Sequence, residues 1–78
     1  MQVHVRYFAV LRERAGRGHG SITVEQGITV GELYLSLFPP TDLGVLPVMY
    51  AVNHQYVKKD HPLCDGDEVG FIPPLGGG

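Results

Sequence analysis

One stretch of the chain has both of its ends marked: Thr29-Val30-Gly31-Glu32 opens it and Pro39-Pro40 closes it. Thr29 is placed as a helix N-cap, and Glu32 is placed to reach back to the Thr29 amide, the reciprocal pairing of a capping box. Ile28 before the cap and Leu33 after it are spaced for a hydrophobic staple. Val30, Leu33, Tyr34, Leu37 and Phe38 recur at helical spacing and form one apolar stripe. The prolines end the helix, because the residue before a proline is pushed out of helical backbone. Such a stripe is core, and no chemistry is assigned to it. A chain of 78 residues holds one core, so the remaining segments must supply what this helix packs on.

Those segments read as short strands. Val3, Val5 and Tyr7 alternate with His4, Arg6 and Phe8, the period-two pattern of a half-buried strand. The first set is expected to face the core, which leaves Phe8 on the polar side. Ala9 to Ala15 suits a short helical turn with Leu11 inward, and Ala15 to Gly20 is a glycine-rich loop without the lysine of a phosphate-binding loop. Ser21 to Glu25 is a second strand with Ile22 and Val24 on one face. Thr41 to Pro47 is a connector. Val48 to Val52 and Gln55 to Lys58 form strands around an Asn53-His54 turn. Asp65-Gly66 is a tight turn, and Glu68 to Ile72 is the last strand, with Val69 and Phe71 inward and Glu68, Gly70 and Ile72 outward. One main helix covers one face of such a sheet and leaves the other available. The order of elements predicts an α+β fold, the β-grasp or ubiquitin-like mixed sheet, as a domain over residues 1–75 followed by a flexible glycine tail at 76–78.

Composition narrows the function. The net charge is −2, and the excess acid lies in the second half, where Asp42, Asp60, Asp65, Asp67 and Glu68 outnumber Lys58 and Lys59. Nothing is basic enough for a nucleic-acid footprint, and no apolar run approaches the ~20 residues of a membrane span. The acidic surface either steers a basic partner or is a solvated turn. The single cysteine, Cys64, excludes an internal disulfide and, with no signal peptide at Met1-Gln2-Val3-His4, makes the cytoplasm the expected location. His4, His19, His54 and His61 show no metal-ligand spacing with each other or with Cys64. A nucleophilic pair of Cys64 and His61 lacks an orienting group and oxyanion donors, and Cys64 is expected to pack its sulfur beneath the turn. As an independent enzyme the chain lacks parts.

What remains is the end of the chain. Pro73 and Pro74 stop the last strand, because neither donates a ladder hydrogen bond. Leu75 is followed by Gly76, Gly77 and Gly78. Extended, three residues reach roughly 10 Å, and without side chains they suit delivery of a carboxylate into a narrow slot that no side chain could enter. The same glycines also suit a frayed end or a linker. Phe8 and Ile72 on the outer face, bordered by Tyr56, are expected to form a contiguous apolar patch next to this tail.

Ala51-Val52-Asn53, the run from Asp60 through Val69, Phe71-Ile72-Pro73-Pro74 and the terminal glycines closely resemble the small subunit of molybdopterin synthase. Val5-Arg6-Tyr7-Phe8-Ala9, Leu11-Arg12-Glu13 and Thr29-Val30-Gly31-Glu32-Leu33 match the same family. The resemblance implies a sulfur carrier that is itself non-catalytic, with catalytic groups on a large synthase subunit. It implies that an adenylyltransferase related to ubiquitin activators uses ATP to adenylate Gly78, with Gly77 beside it, and that a sulfur donor converts the end to a thiocarboxylate. The sulfur then goes to cyclic pyranopterin monophosphate. The resemblance further implies a heterotetramer, no cofactor bound by this chain, and docking of the large subunit on Phe8, Arg12, Tyr56 and Ile72, with Pro73, Pro74, Leu75 and Gly76 leading the tail inward. Ile72 and Tyr56 replace other apolar residues common in the family, whose tail ends in two glycines where this one has three. Two further readings share the fold: a sulfur carrier for thiamine thiazole formation or another thiolation pathway, and a ubiquitin-like binding module whose tail is never activated.

Overall fold

The N-terminal alternation is realised as β1, Gln2–Tyr7, in which Val3 and Val5 are fully buried and Tyr7 nearly so. The structure is a computed structural model and describes residues 1–39 and 47–73. After β1 come α1 (Ala9–Ala15), β2 (His19–Thr23), α2 (Val30–Leu37), β3 (Met49–Val52), β4 (Gln55–Val57) and β5 (Glu68–Ile72). The strands form one mixed sheet in the order β2-β1-β5-β3-β4. β1 and β5 run parallel at its centre, and the other pairings are antiparallel. The expected β-grasp architecture is thus present, and the helical turn expected at Ala9 to Ala15 is realised as α1 beside the main helix α2.

Val5 pairs with Val69 and Tyr7 with Phe71, while β3 sets Tyr50 against Phe71 and Val52 against Val69. Because side chains alternate across a strand, this register puts every one of these residues on one face. Leu11 of α1 and Val30, Leu33 and Tyr34 of α2 join the same buried cluster. Tyr34 and Phe71 meet with ring centroids 5.2 Å apart, and Tyr50 approaches both rings edge-on. Phe71 is fully buried, so the strand that precedes the tail is anchored in the densest part of the core.

The start of α2 follows the sequence closely. Thr29 Oγ1 accepts from the Glu32 amide at 3.1 Å, and Glu32 Oε1 accepts from the Thr29 amide at 2.9 Å. These bonds hold the Glu32 carboxyl below its ordinary range. Two other first-turn amides are taken up by the loop before β5, Val30 N–H donating to His61 O and Gly31 N–H to Lys59 O, each at 2.9 Å. That approach explains a glycine inside a helix: a β-carbon at Gly31 would lie 2.8 Å from Lys59 O.

Several boundaries shift. β2 begins at His19, inside the stretch read as a glycine loop, because Gly20 and His19 pair with Val5 and Arg6. β3 and β4 are each one residue shorter than expected. Cys64 is exposed rather than packed beneath its turn. Leu63 takes the inward place, 4% exposed, and the Cys64 amide is held outward by Asp67 Oδ2 at 2.8 Å. Most of the Thr41 to Pro47 connector, and Pro74, Leu75, Gly76, Gly77 and Gly78, lie outside the described residues.

Candidate functional site

The sheet face opposite the helices carries the candidate site. Register defines it row by row. Arg6, Gly70, Ala51 and Tyr56 lie side by side across β1, β5, β3 and β4. The next row pairs Ile72 with Met49, and Phe8 continues β1 beyond Tyr7 on the same parity. Phe8, Met49 and Tyr56 are 42, 55 and 69% exposed. Solvent-facing apolar side chains are common singly; here they adjoin. Phe8, Tyr56 and Ile72 share the lining of one recess of about 370 Å³ with Ala51, Gly70, Arg6, His54 and Glu68.

Two backbone features shape the recess. Phe8 is the N-cap of α1 and has extended backbone, while Ala9 turns left-handed at φ 49. This sharp exit from β1 starts α1 without carrying Phe8 to the helix side. Gly70 supplies a floor with no side chain, and the Phe8 ring leans over it.

One wall is polar. Arg6 Nε meets Glu68 Oε1 at 2.8 Å, and His54 Nε2 stands 3.5 Å from the same oxygen. His54 reaches Glu68 because Asn53 and His54 both have positive φ, 51 and 71, which tightens the β3–β4 turn. The Asn53 side chain locks that turn onto β5, its Nδ2 donating to Asp67 Oδ1 at 2.9 Å and its Oδ1 accepting from the Glu68 amide at 3.0 Å. The acidic run has structural duties: Asp65 accepts from the Gln2 amide, Asp67 from Asn53 and Cys64, and Glu68 pairs with Arg6.

The structure therefore brings Phe8, Tyr56 and Ile72 together and leaves Arg12 apart. Arg12 lies on α1, where its guanidinium covers Gly18, with Nε and Nη2 3.1 Å from where a β-carbon would stand. Pro73 follows Ile72 and is buried. Sequence reading missed Arg6, Met49, Ala51, His54 and Glu68 as neighbours of the patch. Met49 and Ala51 were open to the parity rule, since they alternate with inward Tyr50 and Val52. The same parity sets Arg6 and Glu68 on the outer face, and only His54 had no such signal, because its place depends on the turn geometry. Among the described residues no helix is long and apolar enough to cross a membrane.

Comparison with known proteins agrees with this fold. The chain is 36% identical to the molybdopterin synthase sulfur carrier subunit of Chlamydomonas reinhardtii, with both chains covered completely. It is also 36% identical to the subunit of that name in Escherichia coli K12, over 97% of this chain and 99% of the relative. Its fold matches SAMP1 of Haloferax volcanii, at 25% identity and a TM-score of 0.78, with both chains fully covered. It matches a putative molybdopterin converting factor subunit 1 of Pyrococcus furiosus at 31% identity and a TM-score of 0.77, over 96% of this chain and 99% of that one. A complex of subunits 1 and 2 of the molybdopterin-converting factor of Helicobacter pylori matches at 28% identity and a TM-score of 0.62, again over both full chains. The sequence model of the ThiS family matches residues 5–78, and with relatives this similar along their whole length the chain belongs to that family.

Proposed function

We propose that this chain is the sulfur-carrier subunit of a molybdopterin synthase, with Gly78 as the sulfur-bearing residue. The observation that carries the reading is end-to-end similarity to sulfur carrier subunits in a chain whose sheet presents an apolar recess beside its last strand.

The chemistry follows from what a carboxylate lacks. At neutral pH it offers no leaving group. In an adenylyltransferase the Gly78 carboxylate attacks the α-phosphorus of ATP, pyrophosphate departs, and an acyl-adenylate results. Sulfide-level sulfur delivered by the donor as hydrosulfide attacks the acyl carbon, AMP departs, and a thiocarboxylate remains. In the large subunit that sulfur bonds to a side-chain carbon of cyclic pyranopterin monophosphate as a carbon–oxygen bond there breaks, the oxygen leaving on the phosphate or as water. Water then cleaves the acyl–sulfur bond, so the sulfur stays on the pterin and the Gly78 carboxylate returns. This chain supplies the terminal carboxyl, a tail without side chains to thread, and a docking face of Phe8, Tyr56 and Ile72. Arg12, Pro73, Pro74, Leu75, Gly76 and Gly77 complete the expected contact set. The complex of two converting-factor subunits from Helicobacter pylori supports a large-subunit partner.

The test is reconstitution. The thiocarboxylated chain, mixed with its large subunit and cyclic pyranopterin monophosphate, is expected to yield molybdopterin. No product from a large subunit shown to be active with another carrier overturns the reading, and sulfur delivery to thiazole synthesis instead would assign the chain to the thiamine pathway.

A further inference from the structure

The geometry points to an open two-histidine site for a divalent transition ion, Zn²⁺ by its chemistry, formed by His4 and His19 at the β1–β2 edge of the outer face. The two imidazoles come from adjacent antiparallel strands, where His4 pairs with Ser21 and Arg6 with His19. His4 and His19 are therefore diagonal neighbours on one face. Their ring centroids are 5.3 Å apart with planes tilted 35°. A tetrahedral Zn²⁺ bound at ~2.0–2.1 Å by one nitrogen of each ring places the centroids roughly 5 Å apart. The pair is thus already at chelating distance, and exposed His19 reorients by rotation about its own side-chain bonds.

The surroundings favour one nitrogen of His4. Its Nδ1 faces Ser21 Oγ at 3.5 Å. With Nδ1–H donating to that hydroxyl, the Nε2 lone pair is left for the ion, the arrangement in which a second group fixes tautomer and ring orientation. The charged residues paired across the strands with these two are Arg6, opposite His19, and Glu68, opposite His4, and they pair with each other at 2.8 Å; the Arg17 guanidinium lies over Gly20, next to His19. No group of three or more His, Cys, Asp or Glu side chains poised to hold a metal exists among the described residues. Water completes the coordination, and imidazole as the sole protein donor suits Zn²⁺, Ni²⁺ or Cu²⁺ over Mg²⁺ or Ca²⁺.

Calorimetric titration of the full chain with ZnCl₂ at pH 7.5 tests the assignment. Saturable binding of one equivalent is expected. His4→Gln and His19→Gln are each expected to weaken it by about tenfold or more, since the second imidazole acts at high effective concentration. His54→Gln and Cys64→Ser are expected to leave it unchanged. Both variants replace surface imidazoles, and unchanged melting temperatures establish that each is folded. Absence of saturable binding overturns the assignment, as does binding that survives both histidine variants or is lost in Cys64→Ser.

Discussion

The ring of Phe8 lies against Gly70, across the two central parallel strands: a β-carbon added at Gly70 would stand 3.4 Å from Phe8 Cε2 and 3.8 Å from Ala51 Cβ. These are ordinary contacts with side chains, not with fixed backbone. Gly70 is also absent from the positive-φ positions, so its backbone admits a side chain. Gly70→Val is therefore expected to fold with stability within ~1 kcal/mol of the parent, the β-branched gain in a strand offsetting displacement of the Phe8 ring. The same methyl groups fill the floor of the recess. Binding to the large subunit, measured by calorimetry, should weaken by about tenfold or more, since filling a central pocket removes a hot-spot contact. Parental affinity in a folded Gly70→Val chain would remove the recess from the interface.

Asp67 ties three segments together with its side chain and backbone. Its carboxylate accepts from the Asn53 side chain and the Cys64 amide, and its carbonyl accepts from the His4 amide. Asp67→Ala leaves the backbone bond and removes the other two. A loss of about 1–3 kcal/mol is expected from urea denaturation, because partly exposed hydrogen bonds to a charged acceptor contribute modestly. Asn53→Ala should cost a similar amount and the double variant less than the sum, since both act through one network. Strict additivity would show that the two residues act separately.

Burial raises the phenol of Tyr50 above its ordinary value of 10.0, and it raises Tyr34 likewise, with Tyr50 adding to the effect. A phenol with a raised folded pKa stabilises the fold fully below the unfolded value and ceases to do so as pH rises through the folded one. Stability is thus expected to hold up to about pH 10 and to fall above it. Tyr50→Phe should flatten that alkaline decline. Glu32 acts at the other end: its lowered pKa means that the capping box contributes above the ordinary glutamate value and is lost as pH falls through the folded one. Melting curves of the parent and Tyr50→Phe from pH 7 to 11 (roughly spanning the tyrosine range) check the first expectation; identical alkaline slopes would refute it.

Sequence made the core legible where one rule sufficed. The period-two alternation of Val3, Val5 and Tyr7, and the stripe of Val30, Leu33 and Tyr34, gave the buried faces directly, and the Thr29–Glu32 box gave the helix start. Parity also brought Phe8 and Ile72 to the outer face. What it did not reveal depends on turn geometry and on particular contacts within and between segments. Gly31 is a glycine because Lys59 O comes within van der Waals reach of its α-carbon face. Cys64 is exposed because Asp67 holds its amide outward. His54 joins the recess only through a turn with two left-handed residues. Arg12 matched a family position, yet its guanidinium covers Gly18 rather than the recess. None of these has a local signature.

The division of labour between the domain and its tail yields the last prediction. The buried residues supply the stability: Val69 and Phe71 of β5 are fully buried against Val5, Val52 and Tyr34. Phe71→Ala removes the ring at the centre of that cluster and is expected to cost about 3–5 kcal/mol, a large share of the stability of a small domain. Deletion of Gly78 removes no side chain. The shortened chain is expected to melt at the parental temperature and to bind the large subunit with nearly parental affinity through Phe8, Tyr56 and Ile72. Yet it should give no molybdopterin after incubation with ATP, the adenylyltransferase and a sulfur donor. Its new terminus at Gly77 is still a glycine carboxylate, so the loss would report reach into the catalytic pocket and not the chemistry of the carboxyl. Intact mass separates the two: an oxygen-to-sulfur increase on the shortened chain, with no product, is the expected pattern. Full activity after deletion would move the sulfur-bearing role to Gly77 and make the third glycine dispensable.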